Sequence, residues 1–448
     1  MSRRHGRNAM LAGLLTEADM SAADLARDVN RLAAAEGVSL RYDRTTVAHW
    51  LTGSRPRGLV PQLVAEALTR RIGRPIDATE TGLTERSDET RGGEADVSRD
   101  LVVLARRDAH PAGHAQLLQS VFRQRGVPAA EAVHTPQPVS PTRRHGGLTG
   151  ADVGRVRFMV SQFAAGWFRY GGGHARTALA SYLGDDVGRL LVLAARPDVR
   201  ADLLSATAQL THLLGDMSSD AGHQGLSQRY YFLALGAAAE AGDLRTRTIT
   251  LRATSVQAVR MNAFRYAADL ADAAVTSAGE SGDGALRAFV LAQRANALAL
   301  VGEHRRAHQD LEAAEGSLDE TALRQDVFSR YPRAGFAYRK GQTLHLLGDA
   351  RSALDALRYA AAERPAHEHR LRALSQARVA LVLLEQGMVE EACTYGQLFA
   401  EVYPLLRSRR SLLVARELRA RLTQFRRVPE AAALLGRISA ITLPKGPA

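Results

Sequence analysis

Apolar positions in this chain recur at helical spacing from near the N-terminus almost to the end. Leu25, Val29 and Leu32 mark one face of a helix that Ser21 opens, with Asp24 three residues on to complete a reciprocal cap. A loop follows through Gly37. Asp43 then caps a short helix with Val47, Trp50 and Leu51 on one face and Arg44, Thr45, Thr46 and His49 on the others. Gly53 stops it. Pro61 sits in the first turn of a third helix, with Leu63, Val64, Ala67 and Leu68 inward, ending at Gly73. Trp50 belongs to the core by its face. From Asp77 to Glu94 the chain turns polar, Ser98 to Arg107 and Ala115 to Phe122 predict short helices, and Pro128 to Gly150 is rich in Pro and Gly. Helical periodicity resumes at Val153 with no strand-like alternation beyond it. The expectation is an all-α chain with a head over 1–76, a linker with short helices over 77–150, and a helical repeat domain over 151–448.

The long C-terminal part repeats. Small residues followed by an apolar residue four on and a small one three further recur at Ser227/Tyr231/Ala234, Ala267/Ala271/Ala274, Ala307/Leu311/Ala314 and Ala353/Leu357/Ala360. Shorter copies fall at Ala392/Gly396 and Ala431/Leu435, and the first members are spaced 40, 40, 46, 39 and 39 residues apart. Gly222, Gly302, Gly348 and Gly387 precede several copies as turn residues. This resembles the tetratricopeptide repeat, whose small residues let two antiparallel helices approach closely. The resemblance implies a solenoid with a concave surface made by the first helix of each pair. It directs Gln209, His212, Asp216, Arg252, Asn296, Tyr338, Gln342 and His345 into that groove, which suits a signalling peptide, a protein segment or a small molecule; polar positions of a purely structural or dimerising solenoid are the other reading.

The head resembles the DNA-binding domain of Xre/Cro-type repressors, through Thr46-Val47-Ala48-His49-Trp50-Leu51-Thr52-Gly53-Ser54-Arg55-Pro56. The connection from Arg31 to Tyr42 is longer than that family's turn. Arg44 can donate two hydrogen bonds to guanine, Thr45 and Thr46 can meet a base edge, a methyl or a phosphate, and His49 lies one turn on. Arg41, Arg55 and Arg57 flank the helix, where contacts to the phosphate backbone are expected. Such a head on degenerate tetratricopeptide repeats resembles a group of actinobacterial transcriptional regulators. A further likeness is Arg169-Tyr170-Gly171-Gly172-Gly173-His174-Ala175-Arg176, read from the residues as a sharp helix–helix turn in which His174 and Arg176 cap or pair.

Charge sharpens this picture. Of the net +12, residues 1–76 carry +5, 77–150 carry −1, 151–406 are neutral and 407–448 carry +8. A basic head fits phosphate contact. Arg407, Arg409, Arg410, Arg416, Arg419, Arg421, Arg426 and Arg427 make the tail either a second contact surface or the solvated face of the last helices. Lysine occurs only at Lys340 and Lys445, which with the abundant alanine reflects a GC-rich genome. The single Cys393 leaves no internal disulfide, and no signal peptide or membrane-length apolar run is present, so a cytoplasmic, nucleoid-associated protein is expected. The glycine run lacks a P-loop's Lys-Ser/Thr, and His367-Glu368-His369 lacks zinc-site spacing and reads as a polar loop between repeats. With no nucleophile elbow or carboxylate pair, no enzyme activity, metal or cofactor is expected. Together these point to a homodimeric, sequence-specific regulator of double-stranded DNA. The competing class is a tetratricopeptide interaction scaffold without specific DNA binding.

Overall fold

The computed structural model describes residues 7–84, 96–118, 120–126, 147–279, 283–318 and 333–442, and every regular element among them is helical. Residues 85–94 of the expected polar stretch (Asp77–Glu94) and 128–146 of the Pro-rich one (Pro128–Gly150) lie outside the described residues, as does Lys445.

Four helices make the head: α1 (Ala9–Glu17), α2 (Ala22–Ala35), α3 (Arg44–Leu51) and α4 (Val60–Ile72). The caps read from sequence are present. Ser21 and Asp24 form a reciprocal capping box, Asp43 accepts from the Thr46 amide, and Gly73 closes α4 in the left-handed conformation at φ +85°. Helix α1 was not anticipated; Leu11, Leu14 and Leu15 bury its inner face against Leu25, Val47, Trp50 and Leu68. The chain past α4 completes this core with Ile76, Ala78 and Leu83, so the head extends beyond residue 76.

Of the short helices expected over Ser98–Arg107 and Ala115–Phe122, the first is α5 (Val97–Ala109). The second forms earlier, as α6 (Pro111–Leu117) opened by its proline, and 120–126 are not helical. Helices α5 and α6 pack into the repeat domain and are not a linker. They join α7 (Gly150–Tyr170), α8 (Arg176–Tyr182) and α9 (Gly188–Leu191) around Leu101, Leu104, Val156, Leu179 and Leu183. Arg176 was expected to pair within its own turn. Instead it reaches across to Asp108 of α5 (2.6 Å), whose carboxylate also takes the Tyr230 hydroxyl (2.8 Å) and His114 Nδ1 (2.7 Å). A buried guanidinium needs a carboxylate, and the turn itself offers none.

Six helical hairpins follow among the described residues: α10 (Pro197–Ala221) with α11 (Gln224–Glu240), α12 (Leu244–Arg260) with α13 (Phe264–Gly279), and α14 (Gly284–Leu300) with α15 (His304–Gly316). Then come α16 (Arg333–Leu346) with α17 (Ala350–Glu363), α18 (His369–Glu385) with α19 (Val389–Val402), and α20 (Arg409–Leu422) with α21 (Pro429–Thr442). Every repeat copy falls on the second helix of a hairpin, and the small residues are buried where the first helix crosses. A Cβ on Gly341 would lie 2.6 Å from Leu357 Cγ and 2.9 Å from the Ala353 carbonyl, which is why α16 carries glycine there. In the α12–α13 turn, Asn262 takes the left-handed conformation (φ +56°) that Gly222, Gly302, Gly348 and Gly387 supply in four of the other hairpins. The last copy is displaced by one residue: Leu434 is fully buried and Leu435 only half-buried.

The solenoid curls until its ends meet. Helix α7 contacts α18, and α10 contacts α20. The junction centres on Asp220, 2% exposed at the end of α10. Its carboxylate accepts from the Gly172 amide (2.8 Å), the Ser408 hydroxyl (3.0 Å) and Arg370 (3.2 Å). The glycine run is thus a sharp turn, as expected, but also a seam. A Cβ on Gly172 would lie 2.2 Å from the Met217 carbonyl, and Gly173 donates its amide to the Arg407 carbonyl (2.8 Å). Replacing Asp220 by Ala leaves Arg370 buried without its carboxylate, so D220A should destabilise the chain by about 3–5 kcal/mol in chemical denaturation. A loss under about 1 kcal/mol would show that the closure is held elsewhere.

Candidate functional site

Two surfaces carry the residues singled out by sequence. The first is the outer face of α3. Val47 and Trp50 turn inward, and Trp50 meets Tyr42 edge-on at 5.3 Å. That geometry leaves Arg44, Thr45 and His49 exposed on the helix, with Arg41, Arg55 and Arg57 exposed beside it. Thr46 differs from the other candidates. It is half-buried, and its hydroxyl donates to the Asp43 carboxylate (2.9 Å), where it belongs to the cap. Hydrogen bonds from the Thr46 amide and hydroxyl hold the Asp43 carboxyl below the usual range.

Because α2 runs to Ala35, the connection to α3 is eight residues, shorter than the Arg31–Tyr42 span read from sequence. It is fixed at both ends. Gly37 reverses the chain at φ +78°, and the Asn30 side chain clasps Tyr42, accepting from its amide (2.9 Å) and donating to its carbonyl (2.8 Å).

The head docks on the repeats through carboxylates that accept backbone amides of the segment after α6. Glu36 takes the Phe122 amide (2.7 Å) and Glu66 that of Gln124 (2.9 Å). Arg70 pairs with Glu66 (2.7 Å) and also donates to the Met261 carbonyl at the α12–α13 turn (2.9 Å). Arg409 approaches the Gly37 carbonyl (3.4 Å).

The second surface is a cavity of about 380 Å³ inside the solenoid. It lies between α7 and the first helices of successive hairpins, as the repeat geometry predicts. Of the eight groove residues, His212, Asp216, Arg252 and Tyr338 line it; Gln209, Asn296, Gln342 and His345 do not. Asn296 is buried against Thr343 (3.3 Å) and Arg339, Gln342 accepts from Arg339 (3.0 Å), and His345 pairs with Glu385 (3.1 Å). Asn296 and His345 thus meet side chains of neighbouring first helices in place of the lumen, and Gln342 meets a side chain of its own helix. Burial keeps His212 below its ordinary pKa despite Asp216 at 3.6 Å.

Sequence reading missed the aromatic wall, Trp167, Phe168 and Phe289, and much of the cationic one. The signal was present in α12. Arg245, Ile249, Arg252, Val256 and Arg260 fall at spacings of four, three, four and four, and all line the cavity. Arg252 stacks on Phe289 (3.9 Å) and Arg370 on Trp167 (4.4 Å). His367 and Glu368, in the expected polar loop before α18, also line it.

Fold and surfaces together define an all-α protein in which a small helical head is docked on a closed, tetratricopeptide-like solenoid. Within it, residues 11–84 match the family model of the SP15 N-terminal domain. No curated protein matches the chain. Among solved structures it is similar to a Rap protein complexed with competence and sporulation factor, at 13% identity and a TM-score of 0.35, over 64% of this chain and 98% of that one. No helix among the described residues is long and apolar enough to cross a membrane.

The docking carries a pH signature. Burial raises the Glu36 carboxyl from 4.5 to about 7, against the Phe122 hydrogen bond and with help from Glu66. The folded chain therefore keeps this proton where the unfolded chain has lost it. The stabilisation is complete below pH 4.5, declines as pH rises to about 7, and is gone above. Glu36 keeps some contact with water, which limits the effect to about 1–3 kcal/mol. Denaturation of E36Q beside the parent should show that much less decline between pH 4.5 and 7.5. Parallel profiles would contradict the assignment.

Proposed function

We propose that this chain is a sequence-specific DNA-binding regulator of the Xre type whose repeat cavity receives the signal that governs it. The observation that carries the reading is the outer face of α3: five basic side chains, Arg41, Arg44, His49, Arg55 and Arg57, exposed with Thr45 around a short helix whose inner face is locked by Trp50. Arg44 in the first turn suits a bidentate guanine contact, and the loop arginines suit phosphates on either side. As a homodimer, the protein presents two heads to the half-sites of a twofold operator.

Reception by the repeats is supported by how the cavity touches the head. Arg260, on the cavity wall, precedes Met261, whose carbonyl accepts from Arg70 of α4. Arg410, also on the wall, follows Arg409, which reaches Gly37 at the start of the α2–α3 connection. A ligand that shifts either arginine acts one residue away from a head contact.

A second reading, a helical-repeat interaction scaffold without sequence-specific DNA binding, draws support from the eight-residue α2–α3 connection and from the predominance of repeats over the head. Selection of bound sequences from a random duplex library, followed by titration of the enriched site, separates the two. The regulator reading expects a shared motif and a loss of about 10–100-fold in affinity for R44A, with the helical signal unchanged. Weak, salt-sensitive binding without a motif, indifferent to R44A, would establish the scaffold reading.

A further inference from the structure

The cavity wall holds more positive than negative charge. Arg245, Arg252, Arg260, Arg339, Arg364, Arg370 and Arg410 line it, against the carboxylates of Asp216, Asp220 and Glu368. Several of the arginines are committed. Arg245 pairs with Asp283, Arg364 with Glu368 (3.4 Å), Arg370 with Asp220 (3.2 Å), and Arg252 lies on Phe289.

Arg260 and Arg410 differ. Among the described residues neither has a carboxylate within 4.0 Å, although they are near enough to repel one another. Arg260 donates to the Ser219 hydroxyl (2.6 Å), while its Nε is buried with no hydrogen-bond partner. Burial and the Arg410 charge push the Arg260 guanidinium below its ordinary pKa. Two guanidiniums facing one lumen without a bonded carboxylate are costly to desolvate, and a bound anion offsets that cost. Apolar side chains line the same space: Phe168, Ile249, Val256 and Phe289. A cavity of this size fits a small molecule, since such sites run to about 300–1,000 Å³.

We infer that the solenoid cavity is a receptor site for a small anionic amphiphile, a carboxylate, sulfonate or phosphate on an aromatic or alicyclic body, with the anion between Arg260 and Arg410 and the body against Phe168 and Phe289. The inference rests on the reading of the cavity as the signal site and is independent of what the head binds.

A matched pair of fluorescent probes tests it on the full chain: 8-anilinonaphthalene-1-sulfonate, and N-phenyl-1-naphthylamine, the same body without the sulfonate. The sulfonate should saturate at one site per chain and bind at least tenfold more tightly than the neutral probe. R260Q and R410Q, on different helices, should each lower its affinity at least tenfold and leave the neutral probe unaffected. R260K should recover part of the loss, and R426Q, in the exposed tail, should change nothing. Equal binding of the two probes would overturn the anion site while leaving an apolar receptor. Failure of both to bind would overturn the reception reading as well. The comparison of probes on the parent protein decides the matter even where a variant fails to fold.

Discussion

The closed solenoid depends on one buried carboxylate. Asp220 ends α10 in the first hairpin, yet its three partners come from the turn after α7, the start of α18 and the start of α20. An open array of helix pairs needs no such contact, because each pair is stabilised by its neighbours alone. Here the curl brings remote helices within hydrogen-bonding distance. The junction then needs backbone to approach backbone, which Gly172 and Gly173 permit and a Cβ would block. Without the closure, α7 would not cover the concave side, and the space between α7 and α12 would be an open groove. Asp220, the carboxylate of the seam, is itself part of the cavity wall.

The same region connects the cavity to the head. The segment that begins α20 supplies, in four consecutive residues, a backbone bond to the α7–α8 turn (Arg407), a hydrogen bond to Asp220 (Ser408), a contact with the head (Arg409) and a cavity side chain (Arg410). This divides the basic tail that sequence treats as one cluster. Its first arginines are structural or lumenal; Arg416, Arg419, Arg426 and Arg427 are solvated. Arg421 lies between the groups, half-buried and 3.2 Å from Glu385.

What could be read from sequence is what is set locally. Ser21, Asp43 and Gly73 act within one turn of their own helices, so their caps are visible without tertiary structure. The repeat is visible because close helix crossing forces small residues at fixed offsets, as at Ala267, Ala271 and Ala274. The 46-residue interval spans residues 319–332, which lie outside the described residues. The lumenal side chains were half legible for a physical reason. A first helix faces both the cavity and the preceding and following first helices, and a polar residue serves either direction. Asn296 finds Thr343 and His345 finds Glu385 on those neighbours, which the period of α14 or α16 alone cannot distinguish from a lumenal position. The arginine stripe of α12 was distinguishable: Arg245, Arg252 and Arg260 recur on one helical face together with Ile249 and Val256, and that face lines the cavity.

That stripe also bears on how a signal could leave the cavity. A ligand shifts an equilibrium only by its differential affinity for two states, so the contacts it strengthens must differ between them. An anion between Arg260 and Arg410 joins α12 to α20, two helices at which the head is also held, through Met261 to α4 and through Arg409 to Gly37. The head contacts are themselves of moderate strength. A backbone carbonyl accepts each arginine, and Glu36 sits at an interface that its own burial weakens above neutral pH. A change in the spacing of α12 and α20 on binding an anion reaches the head through the contacts at Met261 and Gly37.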